Sequence, residues 1–187
     1  MELTTSDSGS WRIGTDAETA WIADDTSVGL TITSAIPPVF DRYATIVVPE
    51  DDDAAWEALD RALVSILRAE SANQPWWLGY LDNGADDIVF PEAPRVALYA
   101  GWPYVLVEAG PEQALTWRRL TWRQRRSLPD LIFPSDRCWL VSRLLDDDWI
   151  CVGGSTGLVH TLLRHPDLET RRVELGQDAT PPGHIAM

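Results

Sequence analysis

Asp87-Ile88-Val89-Phe90-Pro91 recurs later in the chain as Asp130-Leu131-Ile132-Phe133-Pro134, and the same order of segments follows each copy. After the first come an apolar run from Val96 to Tyr99, a turn at Gly101-Trp102-Pro103, a second run ending at Val107, then Gly110 and a helix-like segment from about Glu112 to Arg126. After the second come Trp139 to Val141, an acidic turn at Asp146 to Asp148, Trp149 to Val152, then Gly153-Gly154-Ser155 and a shorter helix-like segment ended by Pro166. Apolar runs joined by tight turns pair as antiparallel neighbours. The expected fold is therefore α+β: a mostly antiparallel sheet with about three helices packed over one face. The chain reads as a single domain over residues 1–187, built from strand-turn-strand-helix units with an internal repeat at 87–126 and 130–165. A parallel α/β arrangement is the alternative.

The same passage from strand to helix occurs once upstream. Tyr43 to Val48 is rich in β-branched residues and ends at Pro49. Asp51 to Asp53 then offer helix N-caps, and Trp56, Leu59, Leu63, Ile66 and Leu67 fall on one helical face, with Glu57, Asp60, Arg61 and Arg68 assigned to solvent. Trp76 to Leu81 reads as a strand entering a hairpin at Asn83-Gly84, because both residues tolerate positive φ. Short strands are expected at Trp11–Ile13, Ala20–Ala23, Leu30–Thr33 and Arg171–Leu175. Residues 1–10 and 176–187 read as loose.

Twenty-nine acidic residues against fifteen basic ones, all of them arginine, give a formal charge of −14. That balance disfavours a nucleic-acid backbone and favours a basic protein partner. The start lacks the basic and apolar regions of a signal peptide, and no apolar run is long enough to span a bilayer, so a cytoplasmic location without membrane association is expected. Cys138 and Cys151 are expected as buried reduced thiols. Ten tryptophans from Trp11 to Trp149 suit core and sheet positions.

Chemistry has three candidate locations. Arg118, Arg119, Arg123 and Arg126 interleave with Trp117 and Trp122, a pattern suited to anions or stacked bases. Gly153, Gly154 and Ser155 precede a helix, where backbone N–H groups favour an anion. Cys151 and His160 flank the same connection as a candidate catalytic dyad, without a supporting motif. The Asp clusters lack calcium-loop spacing and the histidines lack zinc spacing, so no metal and no cofactor is expected.

Pro75 to Leu81, Tyr99-Ala100-Gly101-Trp102, Val107 to Gln113, Asp147-Asp148-Trp149 and Ala179 to His184 resemble a family of streptomycete-type actinobacterial proteins. That likeness covers Ile36 to His184 and implies no particular activity. In composition and size the chain also resembles Smi1/Knr4-type immunity proteins, which are acidic α+β domains that neutralise toxins. The resulting expectation is a non-enzymatic acidic binding protein for a basic partner. A small enzyme or ligand-binding domain with its site near Gly153–Gly157 is the alternative, and anion or RNA binding by residues 117–126 is the third.

Overall fold

The computed structural model describes residues 11–49, 52–71, 73–84, 88–117 and 128–185. Among these, nine strands form one antiparallel sheet: β1 (Arg12–Ile13), β2 (Arg42–Val47), β3 (Trp76–Leu81), β4 (Val96–Leu98), β5 (Trp102–Ala109), β6 (Leu131–Pro134), β7 (Leu140–Ser142), β8 (Trp149–Gly154) and β9 (Thr170–Val173). Their order is β1-β5-β3-β6-β7-β8-β2-β9, and β4 pairs with the other end of β5 along the edge it shares with β1. The helices are α1 (Asp16–Ala23), α2 (Asp53–Glu70), α3 (Pro111–Thr116) and α4 (Thr156–Arg164).

Side chains alternate across a strand, so each sheet face gathers its own set. Trp76, Leu78 and Tyr80 of β3 face one way and meet Leu59, Leu63 and Leu67 of α2 together with Leu158 and Leu162 of α4. Trp77 and Leu81 face the other way and meet Ile22 of α1 with Ile32 and Ile36. Both faces are therefore covered, whereas the sequence pattern predicts helices over one. Each fully buried leucine of α2 contributes roughly 1.5–3 kcal/mol. Asp52 caps that helix by accepting from the Ala54 and Ala55 amides at 2.9 and 3.1 Å.

Helix α1 replaces the strand expected at Ala20–Ala23. Its start is a Thr-x-x-Glu box, in which Thr15 N and Oγ1 both donate to Glu18 Oε2, at 2.8 and 2.7 Å. Leu30–Thr33 is likewise no strand; Ile32–Ser34 makes a 3-10 turn, and Thr31 bridges Asp178. That bridge, with Ala179 N donating to Leu30 O at 2.7 Å, docks the 176–185 segment that composition alone marks as loose.

Asn83-Gly84 does not form a hairpin either, because β3 is central and its partners are β5 and β6. The backbone N–H of Leu81 donates to Asp130 Oδ2 at 2.9 Å, and Arg95 Nε reaches Asp82 Oδ2 at 2.8 Å to close the excursion that leads into β4. The two pentapeptides differ in structure: Leu131–Pro134 is strand β6, whereas Phe90 lies outside any strand at φ 57°. Phe90 packs against Trp117 on the α2 face, and Phe133 against Trp77 on the α1 face. The order strand, turn, strand, helix nonetheless occurs in both stretches, as β4-β5-α3 and β7-β8-α4.

Candidate functional site

On the α1 face a cavity of about 690 Å3 opens to solvent. Four segments wall it: the stretch from the end of α1 to Leu30, the β4–β5 turn, the turn at Leu144–Asp147, and Ala179-Thr180. The β4–β5 turn is Tyr99-Ala100-Gly101, earlier than the expected Gly101-Trp102-Pro103, since Trp102 and Pro103 pair with Leu98 and Ala97. All three turn residues have positive φ (48°, 65° and 95°), and Asp146 across the cavity has φ 64°. Left-handed backbone at a tyrosine and an alanine costs of order 1 kcal/mol each and concentrates where a site is shaped.

The mouth is apolar. Val28, Leu30 and Trp102 line it and are 90%, 56% and 43% exposed. Deeper in, Tyr104, Trp149 and Cys151 form the wall contributed by the sheet. The Tyr99 hydroxyl donates to the Ala35 carbonyl at 3.0 Å, and burial pushes its pKa up.

A polar row crosses the sheet on this side. Ser142 of β7 is opposite Cys151 of β8, Cys151 is opposite Thr45 of β2, and Thr45 is opposite Arg171 of β9. Register partners share a face, so these four side chains lie in line beneath the cavity layer. Ser142, Cys151 and Thr45 are buried, and Arg171 Nη2 donates to the carbonyls of Asp178 and Thr180, both at 3.0 Å, fixing one rim.

Asp147 is the acidic element of the wall. It is 7% exposed, and its carboxylate accepts no hydrogen bond among the described residues. Burial first, then the neighbouring charges of Asp148 and Asp146, push its pKa up to about 6 against the opposing pull of Arg143. The Cys151 thiol is pushed up by burial and by the charge of Asp147, and both residues line the cavity. Arg143 Nε donates to the Asp147 carbonyl at 2.8 Å and holds the turn.

Arg143 also serves the opposite face. Its guanidinium sits 5.4 Å from the Trp56 ring, and Arg143, Trp56 and Asp60 together line a void of about 20 Å3. Helical periodicity assigns Asp60 to solvent, yet it is 4% exposed and its pKa rises to about 7, through burial above all. The residue lies at the edge of the apolar stripe, where Arg143 from the sheet reaches over it.

The glycine connection is packed rather than open. A Cβ on Gly153 would stand 2.4 Å from Phe40 Cδ2 and 2.5 Å from Ile36 Cγ2, and one on Gly154 would stand 2.6 Å from Leu158 Cδ2. Both glycines are buried strand residues paired with β2. Ser155 Oγ accepts from the Leu158 amide at 3.0 Å and lies 3.5 Å from Glu70 Oε2, so a cap and a carboxylate already occupy the place of an anion. Cys151 and His160 are not brought together: Cys151 is buried on the α1 face, while His160 is exposed on α4, which packs on the other face. Cys138, expected to be buried, is exposed, and both thiols are free.

Arg118, Arg119, Arg123 and Arg126 lie outside the described residues, as do residues 1–10, Asp51, Asp86 and Asp87. Among the described residues no helix is long and apolar enough to cross a membrane. Sequence reasoning passed over Tyr99, Ser142 and Thr45, and weighed Asp147 only as part of the acidic turn. Their signal was a polar residue at one position in each of several neighbouring apolar runs, which becomes a row only once the register is known. No protein-family model, no curated protein and no solved structure matches the chain.

Proposed function

We propose that this protein is a binding domain that engages a basic protein partner through the cavity-bearing face, in the manner of an immunity or antitoxin protein acting in the cytoplasm. The observation that carries this reading is the mouth of the cavity: exposed Val28, Leu30 and Trp102 border the exposed Asp146 on a chain with a formal charge of −14. Apolar anchors beside an exposed carboxylate on a strongly acidic chain suit a basic partner, with charge steering the encounter and the aromatic anchor retaining it. Affinity capture from native lysate with the unmodified protein and with a Trp102→Ala/Asp146→Arg variant tests it. A basic protein, identified by mass spectrometry, held by the former and lost from the latter supports the proposal. Equal capture by both, or capture of acidic proteins alone, overturns it.

A ligand-binding or enzymatic role is the second reading, and the cavity volume favours it. About 690 Å3 lies in the range of small-molecule sites, and Cys151 lines the cavity although Gly153–Gly157 does not.

A further inference from the structure

We infer that the cavity is a receptor for an organic cation: a guanidinium or ammonium group on an apolar stem, its charge set against Asp147 and its stem against Trp102 and Leu145. This rests on the reading above that the cavity-bearing face is the binding face, and it names the chemistry the cavity selects.

Three observations carry it. Asp147 is nine-tenths buried and lines the cavity, and its carboxylate accepts no hydrogen bond among the described residues, so it lacks the partner that buried carboxylates normally have. Among the described residues the lining includes Asp146 and Asp147 and contains no arginine, lysine or histidine, so an anionic ligand would meet repulsion without a counter-charge. Arg143, the cation nearest Asp147 in effect, gives its Nε to the Asp147 backbone carbonyl and lies at Trp56 and Asp60, outside the cavity lining. The cavity thus holds a charge that its own walls have not matched.

The walls suit the rest of such a ligand. Trp102, at the mouth, offers an indole against which a cation or its stem can lie. Tyr104, Trp149 and Leu145 supply apolar surface deeper in. Asp146 lies on the exposed side of the same turn, where water screens it, so it assists approach more than retention.

The test uses the full chain with hexylguanidinium and hexylammonium as probes, and hexanol and hexanoate as neutral and anionic controls, followed by calorimetry and by the Trp102 indole N–H resonance. The cations are expected to bind saturably, at least about tenfold more tightly than hexanol, with hexanoate weakest. Asp147→Asn should lose at least about tenfold in cation affinity, whereas Asp146→Asn, an equal change of net charge on the exposed neighbour, should lose no more than about threefold. Unchanged far-UV dichroism and melting of Asp147→Asn, together with retained hexanol binding, show that the loss is local. A heptapeptide with a central arginine, compared with its citrulline counterpart, separates a protein source of the cation from a free small molecule. Hexanol binding as well as the cations, or an Asp147→Asn variant that binds them undiminished, overturns the inference. The capture experiment with Trp102→Ala/Asp146→Arg is decided independently, so a basic partner docking at the mouth survives failure of the cation receptor.

Discussion

Replacing Asp60 with asparagine should remove a pH dependence that this one carboxyl imposes on stability. Asp60 projects from α2 into the sheet core beside Arg143 and Trp56, and burial lifts its pKa from 3.8 to about 7, with Arg143 opposing and Glu57 adding to the shift. Between those values the folded protein keeps a proton that the unfolded chain releases. Stability from this group is therefore fully present below about pH 4 and declines as pH rises to about 7, by about 1.4 kcal/mol per unit and about 4 kcal/mol in all. The carboxamide introduced by Asp60→Asn has nearly the same volume as the protonated acid and does not titrate. Urea unfolding followed by tryptophan fluorescence, repeated from about pH 5 to about pH 8, should show the stability of the variant relative to the unmodified protein growing by about 3 kcal/mol across that range. Asp147, also raised, titrates in both proteins and cancels in the difference. Parallel stability profiles for the two proteins would refute the assignment of Asp60 as a buried, protonated acid.

Other substitutions test the packing that surrounds the site. Gly153→Ala puts a methyl group into Phe40 and Ile36 and should cost about 1–3 kcal/mol by overpacking, seen as a lowered melting temperature; an unchanged melt would contradict the contact geometry. Ser155→Ala removes the acceptor of the Leu158 amide and should cost about 1 kcal/mol without touching the cavity, so probe binding should persist while denaturation shifts to lower urea.

The fold was legible where periodicity and turns agreed. The α2 stripe from Trp56 to Leu67, the β7–β8 hairpin about the acidic turn, and the caps at Asp52 and Ser155 needed no long-range information. What misled was local evidence overruled by distant pairing. Asn83-Gly84 has the chemistry of a hairpin, yet β3 is claimed on both edges by strands far along the chain, β5 and β6. Thr15 to Glu18 carried a capping box that apolar Ala20 to Ala23 concealed. The cavity was the least legible part, because its four walls come from segments widely separated along the chain. Cys151 lines the cavity but does not meet His160, since β8 turns that side chain to the α1 face while α4 packs on the other.

The acidity of the chain acts in two ways, and salt separates them. Some of the 29 carboxylates are already matched: Arg12 with Glu18 and Glu108, Arg61 with Glu57, Arg68 with Glu112, Arg95 with Asp82, Arg172 with Glu174. The surplus on the surface acts through water, over a Debye length of about 8 Å at physiological salt and about 3 Å at 1 M. Asp147 acts instead from a largely buried position, where salt screens much less. Raising salt from about 0.05 to about 0.5 M should therefore weaken capture of a basic protein strongly, mainly through slower association, and weaken hexylguanidinium binding by no more than a few-fold. Equal sensitivity of the two would mean that the cation is held by the general field of the surface, and that the buried position of Asp147 contributes nothing to binding.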